Sequence, residues 1–162
     1  MKTYYKIPTI QDCEVIAQWI ADENAKKPHM MPVNPDDLFN AIQKYGWTWI
    51  YTEQDALAGI IKLIPTTDAI YEWGSLFVME EFRGKWLSHL MITHILNSYN
   101  HLALMCVTNV PQVITTCTHL SQVQVIKTDI KQSVLVAIEN GQPLLSDDQV
   151  FWNQNFINIA KQ

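Results

Sequence analysis

The residues best suited to chemistry in this 162-residue chain cluster in "LFVMEEFRGKWLSHLM". There Arg83, Gly84, Lys85 and Ser88 follow an apolar run that ends at Val78. An apolar strand, a basic turn and a helix in that order make a seat for an anion. The first amides of a helix lack partners and carry about half a positive charge, which suits a pyrophosphate. Arg83 and Lys85 would add charge-assisted contacts, and Ser88 a small hydroxyl donor. Small residues in such a turn let the backbone approach phosphate oxygens and take positive φ without strain. Trp86 stands where one is wanted. Its N–H survives, but positive φ is strained for a bulky residue and the ring needs somewhere to go. Taken alone, "RGK" is equally a solvated turn; its place between strand and helix singles it out.

The elements that must hold this turn can be read from periodicity. "TYYKI" (3–7) has strand composition, stopped by Pro8 and Thr9; Thr9 with Asp12 resembles a helix cap with an acid in the first turn. Ile10, Cys13, Ile16, Ala17 and Ile20 predict an amphipathic helix over 10–24. After the Pro-rich loop "KKPHMMPVNP", Asn34, Pro35 and Gly46 bracket a second helix. "WTWIYTE", "ALAGIIKLIP" and "AIYEWGSLFVM" read as three consecutive antiparallel strands. A helix over 85–99 then aligns Leu87, Leu90, Met91, Ile95 and Tyr99, followed by the buried strand "HLALMCVT" and a short helix from near Pro111. "QVQVIK" and "SVLVAIEN" suggest a final strand pair, and "QVFWNQNFINIA" reads as either a strand end or a short helix. The order β-α-α-β-β-β-α-β-α-β-β gives an α/β (α+β mixed) sandwich, with 1–162 as a single domain, and excludes a doubly wound parallel sheet.

Composition narrows the function classes. A hydrophobic fraction of 48% with 17% charged residues belongs to a globular protein. The net charge of -5, with no basic block, argues against nucleic acid, charged tRNA included. It would favour a cationic or amine-bearing partner, although acidic surfaces more commonly serve solubility. No membrane span or leader is expected, and Cys13, Cys106 and Cys117 read as reduced thiols, so the expected location is cytoplasmic. No metal is expected: His89 and His94 diverge on their helix, and His29 and His119 fall in no ligand spacing. Trp47, Trp49, Trp73 and Tyr51 read as core or sheet-face residues.

This element order, with a basic turn opening the helix after the fourth strand, resembles the GNAT superfamily of acyl-CoA N-acyltransferases over roughly residues 3–138. "YYKIPTIQDCEVIAQWI" is similar to the opening strand, turn and first helix. "LFVMEEFRGKWLSHLM" is similar to the coenzyme motif V-x-P-x-x-R-G-x-G-x-G/A-x-x-L, with Val78, Arg83, Gly84 and Leu90 or Met91 in register and Trp86 and Ser88 in two small-residue places. The resemblance implies a mostly antiparallel mixed sheet of about six to seven strands with about four helices. It implies acetyl-CoA as co-substrate and direct attack by a primary amine, of a small molecule or peptide, in a ternary complex. The coenzyme would meet backbone amides at Phe77, Val78 and the residue after, Met79, then Arg83, Gly84, Lys85, Trp86, Leu87 and Ser88, with Asn109 beyond. The Trp86 ring would swing onto the protein, cover the adenosine side of the coenzyme or close the cradle. The acceptor segment would be "KKPHMMP", where Met30 and Met31 line a pocket or merely pack. A homodimer stays open, as does a degenerate, inactive ligand- or protein-binding member of the fold.

Acyl transfer from a thioester to an amine needs a base, a polarised carbonyl and a proton for the departing thiolate. The resemblance implies a Glu on the fourth strand as base, direct or through water. Glu72 fits: alternation puts it on the Val78 face, and Tyr71 and Trp73 would desolvate it and raise its pKa. The alternative is a Glu at a strand end facing water; Glu80 and Glu81 are weaker candidates. The Tyr that commonly serves as acid is missing from "TNVPQVITTCTHL", where Thr116 and Cys117 lie near its place. A thiol could protonate a thiolate whereas a Thr hydroxyl is a poor acid, so Cys117 is the candidate. It is otherwise a small buried core residue, and water could supply the proton.

Overall fold

β-branched and aromatic residues between Trp47 and Val78 build the middle of a sheet that the flanking segments extend on both sides. The structure is a computed structural model describing residues 2–26, 32–45, 47–52, 54–65, 70–108, 110–125 and 149–156. Its elements are β1 (Thr3–Tyr5), α1 (Ile10–Lys26), α2 (Pro35–Tyr45), β2 (Trp47–Thr52), β3 (Leu57–Pro65), β4 (Ile70–Val78), α3 (Leu87–Ser98), β5 (Ala103–Thr108), α4 (Pro111–His119), β6 (Gln124–Val125) and β7 (Gln149–Trp152). The sheet runs β1-β2-β3-β4-β5-β7-β6, with β4–β5 its parallel pair and the other pairings antiparallel. This is the mixed α/β architecture expected from the sequence.

Local chemistry sets the helix starts. Asp12 Oδ2 accepts from the Thr9 N–H (2.7 Å) and hydroxyl (2.9 Å), while Thr9 Oγ1 accepts from the Asp12 N–H (3.3 Å), a reciprocal cap. Asn34 Oδ1 accepts from the Asp36 and Asp37 amides at the start of α2. Helix α3 begins at Leu87, later than the 85 expected, because Lys85 and Trp86 belong to the turn. Its buried stripe is Leu87, Met91, Ile92, Ile95 and Leu96; Leu90, expected inside, is exposed. The tail resolves into β7 followed by a helical turn over 154–156. The expected strand "SVLVAIEN" lies outside the described residues, and β7 takes the place between β5 and β6.

Helices α3 and α4 cover one face of the sheet, packing Leu87, Met91, Ile95 and Cys117 on Ala58, Leu63, Trp73 and Leu104. Helices α1 and α2 cover the other, with Ile16, Ile20, Leu38 and Ile42 against Tyr51, Ile60 and Phe77. Gly59 marks the tightest approach: a Cβ there would meet the Phe77 carbonyl oxygen at 2.7 Å and Met91 Cε at 3.0 Å.

Two irregularities shape the centre. Ile60 pairs with Phe77 but Lys62 pairs with Gly74, so β4 carries one residue more than β3 and bulges at Ser75, whose φ is 45°. Side-chain parity flips across the bulge: Trp73, Leu76 and Val78 all pack on the α3 side, and Phe77 turns to α1. Glu72, alternating with Trp73, therefore lies on the face opposite Val78. The shared face expected for these two fails because an extra residue reverses a period of two. The second irregularity is that β4 and β5 pair only over Ile70–Ala103, Tyr71–Leu104 and Glu72–Met105. Beyond Glu72, β5 turns away with β7, along Met105–Trp152 to Thr108–Gln149, and leaves one edge of β4 bare.

Asn153, 7% exposed, pins β5 at the root of this parting. Its Oδ1 accepts from the Leu104 N–H (3.0 Å) and Phe156 N–H (3.1 Å), and its Nδ2 donates to the Leu102 carbonyl (2.8 Å). Asn153→Ala strands these buried groups, and urea unfolding should report a loss of about 2–4 kcal/mol.

Candidate active site

The turn after β4 is built by its own backbone. A 3-10 turn, Glu80–Phe82, follows the strand, closed by Phe82 N–H to Met79 O (2.9 Å) and Arg83 N–H to Glu80 O (3.2 Å). Gly84 then takes φ 76° and Trp86 φ 62°, ψ 14°. Trp86 adopts the left-handed geometry that glycine adopts freely, at about 1–2 kcal/mol for a residue with a Cβ. No side chain caps α3. The first intrahelical acceptor engaged is Trp86 O, by Leu90 N–H at 3.1 Å, so the amides of Leu87, Ser88 and His89 have no helical partner. The indole is 78% exposed and edge-on to the His89 ring, with centroids 6.2 Å apart. A ring folded into the protein, or plugging the cradle, would be buried. Here it stands in solvent.

Two cations flank these amides. Arg83 Nε donates to the Val78 carbonyl (3.1 Å), its guanidinium lies 3.9 Å from Glu23 Oε2 on α1, and it sits 6.0 Å over the Trp19 ring. Lys85 Nζ donates to Glu81 O (3.0 Å) and lies 5.1 Å over Phe82. Both are exposed and able to turn to an anion. On the β3 side of β4, Met79 N–H donates to Ala58 O (2.9 Å). Strand alternation therefore turns the Val78 N–H away from β3, into the space that β5 leaves. The same alternation directs the Phe77 amide at β3. Of the three backbone donors expected, Phe77 and Met79 turn to β3 and Val78 alone faces the gap.

Glu72 is half-buried, and its Oε1 would lie 3.7 Å from a Cβ at Gly74. The carboxylate thus leans over the glycine, along β4 towards the bulge. Burial pushes its pKa up, with Lys62 on β3 opposing the rise; burial likewise pulls Lys62 down. Cys117 is elsewhere. It is 1% exposed in the α3/α4 core, beside Cys106, and burial pushes its thiol up to about 12. A buried thiol of that strength is a poor proton donor to a thiolate, so the acid expected at this position is a core residue. Thr116, next to it, gives its hydroxyl to the Gln112 carbonyl (2.9 Å). Asn109, Met30 and Met31 lie outside the described residues.

Three residues escaped the sequence reading. Trp19 and Glu23 hold Arg83 from α1, and nothing local in an amphipathic helix signals such a long-range contact. Lys62 did carry a signal: it is the one charge in "LAGIIKLIP".

The fold is that of the GNAT acetyltransferases, and several solved structures of that kind superpose on this chain. A phosphinothricin acetyltransferase of the GNAT superfamily from Sinorhizobium meliloti, in complex with AcCoA, superposes with a TM-score of 0.66 at 16% identity, covering 95% of this chain and 88% of that one. The putative acetyltransferase yncA from Salmonella typhimurium, with acetyl-CoA, gives 0.65 at 14% identity, covering 96% and 95%. Spermidine N-acetyltransferase from Vibrio cholerae, in complex with CoA and spermine, gives 0.64 at 13% identity, covering 96% and 98%. No protein-family profile matches the sequence, and a comparison with curated proteins found no match. Among the described residues no helix is long and apolar enough to cross a membrane.

Trp86→Gly should relieve the left-handed strain while removing few contacts. Thermal unfolding should show a gain on the order of 1 kcal/mol, and an unchanged or lower Tm would mean that the indole is held by more than the turn.

Proposed function

We propose that this protein is an N-acetyltransferase that moves an acetyl group from acetyl-CoA to a primary amine by direct attack in a ternary complex. The observation that carries this reading is the left-handed Trp86 with its ring in solvent: the turn keeps the geometry of a diphosphate cradle although the residue that should favour it is absent. The residues present fit the coenzyme. The Leu87, Ser88 and His89 amides would meet the diphosphate, Arg83, Lys85 and the Ser88 hydroxyl would add donors, and a Cβ at Gly84 would meet nothing within 4 Å. The Val78 N–H would bind along the bare edge of β4. When bound, the coenzyme supplies an activated acetyl thioester.

The chain's own part is to orient and to move one proton. Glu72 reaches over Gly74 near the start of the bare edge, where it would accept a proton from the amine. Its raised pKa makes it a stronger base than an exposed Glu once ionised. The thiolate would take its proton from water, since no thiol or phenol among the described residues of α4 serves. That absence also favours a second reading: a GNAT-fold module that binds the coenzyme or another partner and catalyses nothing. The acceptor would be a small molecule or a peptide amine, and the location proposed is the cytoplasm.

Acetyl-CoA at a hundred times its Kd should stabilise the protein by about 2.7 kcal/mol in a thermal-shift assay; no shift ends this reading. Thiol release against a panel of amines then separates enzyme from module. Glu72→Gln should keep the thermal shift and lower kcat by roughly 10²–10⁴-fold. The wild-type rate should rise with pH through a pKa above that of a free glutamate. The stability sign is opposite to the activity sign. An acid whose folded pKa is raised stabilises most while protonated and loses that contribution as pH rises through its folded pKa, so Glu72→Gln should unfold no more easily than wild type at pH 7.

A further inference from the structure

Lys62 is the one charge on an otherwise apolar strand, with Ile60, Ile61, Leu63 and Ile64 around it, and it is half-buried. Removing an ammonium from water is unfavourable unless something answers it. In the β3–β4 register Lys62 faces Gly74 and Ile64 faces Glu72, so Lys62 and Glu72 are diagonal neighbours on one face of the sheet. Such diagonals are about 7–8 Å apart, within reach of two long side chains. Gly74 puts no side chain between them, and the Glu72 carboxylate leans over that glycine, towards the partner of Lys62. The two do not close into an ion pair, and among the described residues neither makes a hydrogen bond. The carboxylate keeps its lone pairs for an incoming group.

We propose that Lys62 is a positioning residue for Glu72: its ammonium, across the Gly74 gap, keeps the half-buried carboxylate ionised and drawn along β4 towards the stretch that β5 has left. The proposal rests on the reading of Glu72 as base. Desolvation favours the protonated carboxyl, and a nearby cation works against it. The effect is mutual, since Lys62 opposes the upward push on Glu72 and Glu72 opposes the downward push on Lys62. No other charged group among the described residues bears on Glu72. From β5 the residue opposite is Met105, and the Cys106 thiol senses the carboxylate; α1 and α2 send no charge to it.

The test uses the full chain with Lys62→Met, which keeps the length and removes the charge, and Lys62→Arg, which keeps the charge. Carbon-13 NMR, with the Glu72 carboxyl assigned through Glu72→Gln, gives its titration without substrate. The pH dependence of kcat/KM with acetyl-CoA and the best amine of the panel gives the second readout. Lys62→Met should move the Glu72 midpoint up by about one pH unit and carry the acid limb of the rate profile with it, leaving kcat at the alkaline plateau within about threefold. Lys62→Arg should restore both midpoints. An unmoved Glu72 midpoint in Lys62→Met overturns the proposal and leaves the acetyltransferase reading intact. A moved midpoint with an unmoved acid limb also overturns it, and removes Glu72 as base. Absence of turnover with every amine, while acetyl-CoA still binds, is instead the failure of the enzymatic reading, and the positioning role falls with it.

Discussion

The parting of β4 from β5 beyond Glu72 governs the rest of the molecule. A sheet interior rarely leaves backbone donors and acceptors unpaired, because each buried orphan costs as much as a lost hydrogen bond. Here the pairing stops after Met105, while β5 runs on beside β7 along its other edge. The Asn153 amide carries the β7 side of β5 on past Trp152, to Leu104 and Leu102. The gap between β4 and β5 is therefore left open from Glu72 onward. An extended ligand with amides of its own would be the natural third partner, as in strand addition to an open edge.

The bulge at Ser75 acts together with that parting. It reverses which residues face which helix layer, sending Phe77 to Trp19, at a centroid distance of 5.2 Å, while Val78 stays in the α3 core. Arg83 then bonds the Val78 carbonyl and approaches Glu23, so the basic turn is moored to β4 and to α1. The left-handed Trp86 fits this picture. Its strain is local and modest, and the fixed end of β4 and the first turn of α3 over-determine the path between them.

Much of the fold was legible because it depends on patterns of composition: the helix caps at Thr9 and Asn34, the meander from Trp47 to Val78, the strand–turn–helix around Arg83. What was missed depends on geometry that periodicity cannot carry. A single extra residue in "IYEWGSLFV" leaves the composition unchanged yet inverts parity, and so the Glu72–Val78 relation was misread. Cys117 shows the same limit: an apolar helix face and a site-lining face look alike until packing decides between them. The partners of Arg83 come from a helix some sixty positions earlier, a long-range relation without local signature (Glu23 against Arg83). Lys62, by contrast, was visible as a lone charge among isoleucines and leucines.

Gly59 has a mechanical consequence. It faces Val78 across the register, and the Phe77 carbonyl and the Met91 methyl close over it from two different elements. The absence of one methyl group thus lets α3 lie flush against the strand pair and sets how far the head of that helix stands from the end of β4. A substrate with a head and a tail, gripped by those two elements, would meet a gauge of fixed length, so even a small wedge at this one position would misalign both ends together.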